Sequence, residues 1–489
     1  MKKEHWILII ILVLTLGTRL YLAFDIPNFT YESYFHLKHI EHIAEKGLPL
    51  YNDPLSYGGR TLLFLPAFHY FLGFFDFFLP LETTAKIVMN FLLVTLVLLV
   101  YLIAKKITQK NTPALYSAFI TAFLPILWQT NSVSPYYLFL PLSLLAIYSL
   151  MNLNKKIFIY LYIISIFFLS LITPSTFLLI IGLLLYLLLS RVEEKRILKT
   201  ELELTLFSLF LFIWIQFLFF KEILLQEGPN FIWQNIPSQI ISQYFPKISV
   251  IQSLVLVGII PLITGIYIIY KSLFQGKNKN IFLLFSLAIS TILLFVFNLV
   301  EYEIALMFLG LMLAILFSQA YIIFLKFSRQ TRVTKYKNLS ILLITILLIF
   351  STIYPAISYA LDQQTPTGEE IKAFLWIKKT TGSTSTILVT LKEGHLLNYL
   401  SQRKNIMDDQ FFLIKDSETK FADISFLFTT PYQTQTLSLV NKYNIDYIFF
   451  SPQAKKEHQI DKLLYIDKRC FELIYDQEVK VYQPKCKLK

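Results

Sequence analysis

"ESYFHLKHIEHIAEKG", running from Glu32 to Gly47, places three acids, three histidines and two lysines within sixteen residues. It follows an apolar run over 5–24 and precedes an interrupted one over 61–80. Set on a helix, Ser33, Leu37, Ile40 and Ala44 line one face, with Ile43 at its edge. Lys38, Glu41, His42 and Glu45 line the other. Such a helix lies flat at an apolar–water interface. Glu32, His36 and His39 share one edge, because spacings of four and three stack on a helix.

Composition defines the interface. The 489 residues are 55% apolar and 16% aromatic, with mean hydropathy +0.58; soluble chains average about 45–50% apolar. Apolar runs recur near 5–24, 61–80, 84–104, 113–130, 135–152, 157–172, 174–190, 203–221, 249–270, 280–298, 302–325 and 338–359. A bilayer takes about 20 apolar residues per helix, so the chain reads as a polytopic α-helical membrane protein. The net charge of +12 does not indicate nucleic acid, because the basic residues sit in short loops between apolar runs. Residues 5–24 read as a retained span rather than a signal peptide, since no small-x-small site precedes Asp25.

Loop charge sets the topology. If 61–80 does not cross, Lys105, Lys106, Lys110, Lys155, Lys156, Arg191, Lys195, Arg196, Lys199, Lys271, Lys277, Lys279, Lys326, Arg329, Arg332, Lys335 and Lys337 all fall on one side. The loops 131–134, 172–175 and 299–301 on the other side carry no Lys or Arg. The expectation is about eleven spans, a cytoplasmic N-terminus and a multi-pass plasma-membrane protein. Outside the membrane lie 25–83, 222–248 and the residues beyond 361. The division is therefore 1–361, membrane, and 362–489, a small extracytoplasmic α/β domain. In the latter, "TPTGEEIKAFLWIKKTTG" reads as an amphipathic helix with Ile371, Phe374, Leu375 and Ile377 inward. "STILVTL", "IDYIFF" and "VKVYQ" read as strands. Cys470 and Cys486, in an oxidising space, are either a disulfide or two free thiols.

An acid beside an apolar span is costly and marks a functional position, although a helix N-terminus also favours Glu32. Glu32, His36 and His39 are a minimal nitrogen–oxygen set for zinc, or a solvated edge. Asp53 and Gly58-Gly59 precede Arg60, a phosphate ligand or an interfacial anchor.

A span, an acid, "ESYFHLKHIEHIAEKG" and "YNDPLSYGG…LPAFHYFLGFF" resemble the first outer loop of GT-C membrane glycosyltransferases. "YESYFHLKHIE" is similar to the acid-x-(Tyr/Trp)-Phe segment of oligosaccharyltransferase catalytic subunits. There the first catalytic acid falls on Glu32 and the following basic residue on Lys38. Leu391-Lys392-Glu393-Gly394-His395 stands where that family carries Trp-Trp-Asp-Tyr-Gly and keeps only its glycine; Arg403 and Asp408-Asp409 follow. The family's second acidic motif belongs in the loop "NSVSPYY", Asn131 to Tyr137, which has no carboxylate.

The resemblance implies an inverting transfer of a sugar from a polyprenyl-phosphate donor to a protein or glycan acceptor outside the membrane, and the missing carboxylate in that loop points to a metal-independent one. Glu32 would be the base. Lys38, Arg60, Lys221 and Lys247 would hold the phosphate, supported by His36, His39 and Asp53. Trp233, Gln234, Asn235, Glu393 and His395 would contact sugar or acceptor. The alternatives are an oligosaccharyltransferase with Mg or Mn, a non-catalytic scaffold, and a lipid-linked sugar transporter.

Overall fold

A computed structural model describes residues 3–241, 250–275, 278–330 and 337–486. Among the described residues six helices are long and apolar enough to cross a membrane: Lys3–Asp25, Leu81–Thr108, Lys199–Glu227, Lys279–Val296, Tyr302–Ser328 and Asn338–Leu361. A seventh span is bent. Ile251–Val257 and Ile259–Ser272 meet at 85° around Gly258, whose φ of +87° a side chain would strain. Tyr136–Leu150, Lys156–Ile172 and Thr176–Val192 are apolar but shorter. The chain is thus a multi-pass membrane protein; reaching eleven spans requires the shorter helices to cross as well. Helix contacts are close. A Cβ on Gly182 would lie 2.5 Å from Leu287 Cδ2, so this small residue lets Thr176–Val192 approach Lys279–Val296.

The 61–80 run folds as a helix over Ala67–Asp76 only. Ten residues rise about 15 Å, half the hydrocarbon thickness. This helix packs on Ser33–Lys46, with Gly73 against Ile40 and Ile43. His39, expected beside Glu32 and His36 as a ligand or supporting residue, is fully buried. The helix is covered on that side by Phe35, Phe64 and His69, rather than lying open on a surface.

Beyond Leu361, helix Gly368–Thr380 starts at a capping box: Glu370 N donates to Thr367 Oγ1 and Thr367 N donates to Glu370 Oε2. Ala373, Phe374 and Ile377 are buried as a face, while Leu375, one position round from Phe374, is exposed. The sheet has five strands, numbered after a small antiparallel ribbon of β1 (Asn52–Asp53) and β2 (Arg60–Thr61). They are β3 (Thr386–Leu388), β4 (Lys404–Asn405), β5 (Tyr447–Phe450), β6 (Phe471–Asp476) and β7 (Lys480–Pro484). The order is β4-β3-β5-β7-β6, parallel in β4-β3-β5 and antiparallel beyond. A Cys470–Cys486 disulfide closes the β6–β7 hairpin.

One apolar core runs from the spans through Leu37 and Ile40 to Phe374, Leu396 and Val481. A second joins Ile236 and Ile240 to Leu388, Phe428 and Ile448. The sheet region is therefore seated on the membrane region by shared packing. That seating builds the site.

Candidate active site

Glu32 stands directly ahead of helix Ser33–Lys46, and its neighbours are tied on two sides. The Thr30 amide donates to the Asn131 carbonyl (3.0 Å) and the Val133 amide to Ser33 Oγ (2.8 Å). The Tyr31 hydroxyl donates to Glu370 Oε2 (2.9 Å), and Asn28 Nδ2 to the Pro366 carbonyl (2.8 Å). Among the described residues the Glu32 carboxylate itself accepts no hydrogen bond.

Two cavities meet at this carboxylate. The first, about 340 Å³, has Glu32, His36, His69, Gln234, Glu301, Glu303 and Asp409 on its polar side; Phe64, Leu65, Ile172, Phe220 and Phe412 form its apolar wall. The second, about 300 Å³, is lined by Thr30, Tyr31, Gln129, Tyr359, Asp362, Gln363, Gln364 and Lys392. Glu32, Ser132 and Glu303 line both. Glu32 is exposed to this half-enclosed space.

Glu301 precedes helix Tyr302–Gln330 and Glu303 occupies its first turn, where the helix dipole favours negative charge. Glu301 accepts from the Tyr136 hydroxyl (2.5 Å) and from Gln234 Nε2 (2.9 Å). Glu303 accepts from Gln129 Nε2 (2.8 Å). Asp409 pairs with His395 Nε2 at 2.6 Å. Removal from bulk water raises the Glu32 carboxyl to about 8; Glu303, Asp409 and Glu301 add to this and Lys392 opposes it. His36 lies 3.0 Å from His69, ring nitrogen to ring nitrogen. Burial pulls His36 well below its usual value and His69 down to about 3, so this pair is neutral at physiological pH.

Of the residues expected from sequence, Glu32, His36 and Gln234 line the first cavity. Lys38 does not; it pairs with buried Asp53 at 2.6 Å. Arg60 pairs with Asp408 (3.3 Å), donates to the Gln410 and Phe412 carbonyls and covers the Tyr57 ring. It anchors residues 408–412 instead of facing the cavity. His39 is enclosed, and Lys221 and Trp233 lie off both cavities. Asn235 Nδ2 donates to the Phe411 and Ile414 carbonyls. Glu393 is buried and accepts from Thr390 N and Oγ1; His395 reaches the cavity only through Asp409. Lys247 lies outside the described residues. No Lys or Arg lines the first cavity among the described residues.

Sequence reasoning missed Glu301, Glu303 and His69, and used Asp409 only as a motif match. The expectation of one lone acid fails: the loop after Asn131 has no carboxylate, but the later loop supplies two. Their signal is "VEYEI", an acid pair abutting an apolar run.

No family model and no curated protein matches the sequence. Solved structures do match. The Archaeoglobus fulgidus oligosaccharyltransferase AglB, in complex with an inhibitory peptide and a dolichol-phosphate, aligns at TM-score 0.70 and 13% identity over 91% of this chain and 69% of that one. The same organism's enzyme in complex with Zn and sulfate aligns at 0.68 and 13% over 94% and 71%. ArnT from Cupriavidus metallidurans bound to undecaprenyl phosphate aligns at 0.56 and 11% over 98% of each. The chain thus shares its fold with these oligosaccharyltransferase and ArnT structures, which is the fold expected from the first outer loop.

Proposed function

We propose that this chain is a membrane glycosyltransferase that moves a sugar from a polyprenyl-phosphate-linked donor to an acceptor hydroxyl outside the membrane. The observation that carries this reading is the meeting of two cavities at one carboxylate. The first has an apolar wall from Ile172, Phe220 and Phe412 suited to a lipid-linked donor. The second is lined by amides and hydroxyls suited to a polar acceptor. The structural neighbours with dolichol-phosphate and undecaprenyl phosphate support a lipid phosphate donor. The topology expected from loop charge, with the N-terminus inside and residues beyond 361 outside, belongs to the same reading.

In the proposed reaction Glu32 takes the proton of the acceptor hydroxyl. The oxygen attacks the anomeric carbon, the bond from that carbon to the phosphate oxygen breaks, and polyprenyl phosphate leaves with the electron pair. Entry from the second cavity, opposite the leaving group in the first, gives inversion. The His36–His69 pair and Gln234 contact the donor headgroup.

The acids fit a divalent cation of the Mg or Mn type, which takes carboxylate oxygens. Among the described residues Glu303 and Asp409 each keep one oxygen without a donor. Glu303 and Asp409 face the first cavity with Glu32 and would have to draw together to hold such an ion, which would supply positive charge where the phosphate leaves. The His395–Asp408–Asp409 cluster brings three ligand atoms within 4.8 Å. Asp408, however, is already committed to Ser56, Asn405 and Arg60.

The test is reconstitution in lipid discs with polyprenyl monophosphate and pyrophosphate sugars, with and without Mn, following free polyprenyl phosphate or pyrophosphate. Release from at least one donor is expected. No release from any donor would contradict the proposal.

A further inference from the structure

Among the described residues the Glu32 carboxylate has no hydrogen bond of its own to hold it, so its aim depends on its neighbours. The tether from the residue directly before it to the C-terminal region is made by Tyr31. Tyr31 is 5% exposed and Glu370 1% exposed, so their 2.9 Å hydrogen bond is shielded from water. Glu370 is also a hub. Its Oε2 accepts from the Thr367 amide (2.7 Å) and its Oε1 from the Gln453 amide (3.3 Å). One carboxylate thus joins the start of helix Gly368–Thr380, the start of helix Pro452–His458 and the residue before Glu32.

We infer that Tyr31 and Glu370 are positioning residues, through which the docked C-terminal region aims Glu32 at the junction of the two cavities. This rests on the transferase reading for its catalytic consequence, but the tether itself stands on the geometry. The same region also delivers Asp409 to the first cavity, held by His395. The membrane part alone would hold the neighbours of Glu32 only through Asn131 and Val133, and would lack Asp409. A hydroxyl that only filled space would tolerate removal; one that fixes a reacting group within tenths of an ångström would not.

The experiment compares wild type with Tyr31→Phe, Glu370→Ala, Glu370→Gln and Thr367→Ala in lipid discs. Tyr31→Phe removes one oxygen and keeps the packing. Glu370→Gln keeps an acceptor for Tyr31. Thr367→Ala weakens the same helix start without touching Tyr31. The expected result is a fall in kcat of about ten- to a hundredfold for Tyr31→Phe and Glu370→Ala, with donor KM within about twofold. Glu370→Gln recovers most of that loss, and Thr367→Ala keeps the wild-type kcat. Unchanged kcat in Tyr31→Phe, or an equal loss in Thr367→Ala, overturns the inference. Hydrogen exchange of amides 28–35 gives a readout without turnover. Faster exchange there in Tyr31→Phe than in Thr367→Ala supports the tether, and equal exchange overturns it. Wild type that releases no donor phosphate would refute the transferase reading and leave this exchange comparison to decide the tether.

Discussion

Glu32 and Glu303 face the same junction of two cavities, one from the turn before an interfacial helix and the other from the first turn of a membrane span. They are 271 residues apart in sequence, from 303 minus 32. Their mutual repulsion, on top of burial, keeps the Glu32 carboxyl raised to about 8.

That shift fixes a pH dependence. A base must be ionised to take a proton, so turnover without added metal should rise with pH through about 8 and level off above it. Glu303→Gln removes a negative neighbour and should move this limb to lower pH, read from initial rates across pH 5 to about 10.

Divalent cations act in the same direction. Chelation should lower donor turnover by about a hundredfold or more, and Mn or Mg should restore it. Addition of the ion should also move the rising limb to lower pH, because a cation among the acids favours the ionised form of Glu32. Wild-type rates measured with and without chelator decide this.

Arg60 is a structural residue on this account. Replacement by alanine leaves buried Asp408 without its guanidinium partner, at a cost of about 3–5 kcal/mol. Unfolding midpoints should fall accordingly, while the folded fraction retains wild-type affinity for the donor. A selective loss of donor affinity at unchanged stability would return Arg60 to the phosphate.

Gly394 is the one residue kept from the acceptor motif, and its reason here is steric. A Cβ would lie 2.7 Å from both the Met407 carbonyl and Asp408 Cβ. Gly394→Ala should destabilise by about 1–3 kcal/mol and displace Asp409 from the cavity. Turnover should fall further than for an exposed substitution such as Lys379→Ala of equal expression.

The Cys470–Cys486 link closes a loop of 16 residues. Its removal by Cys486→Ser should cost about 3 kcal/mol in the stability of the sheet region. Wild type in reducing agent should melt with the variant.

Much of the fold was legible because long apolar runs and basic loops obey simple rules. The charge of distant loops leads one to expect that 61–80 does not cross, and its helix covers only Ala67–Asp76; the β3, β5 and β7 strands follow from their apolar, β-branched composition. The site was less legible. Glu32 was visible from its place beside a span. Glu301 and Glu303 were not, because their partnership with it is made only by three-dimensional packing. Lys38 and Arg60 looked free in sequence, and nothing local announces that Asp53 and Asp408 neutralise them. The burial of His39 under Phe35 and Phe64 was not legible either.

The most direct measurement is release of polyprenyl phosphate by Glu32→Gln against wild type in lipid discs, with donor binding measured in the same preparation. The predicted result is a loss of release by about a hundred- to ten-thousandfold with donor still bound. Release at the wild-type rate would contradict the placement of the reaction at this carboxylate.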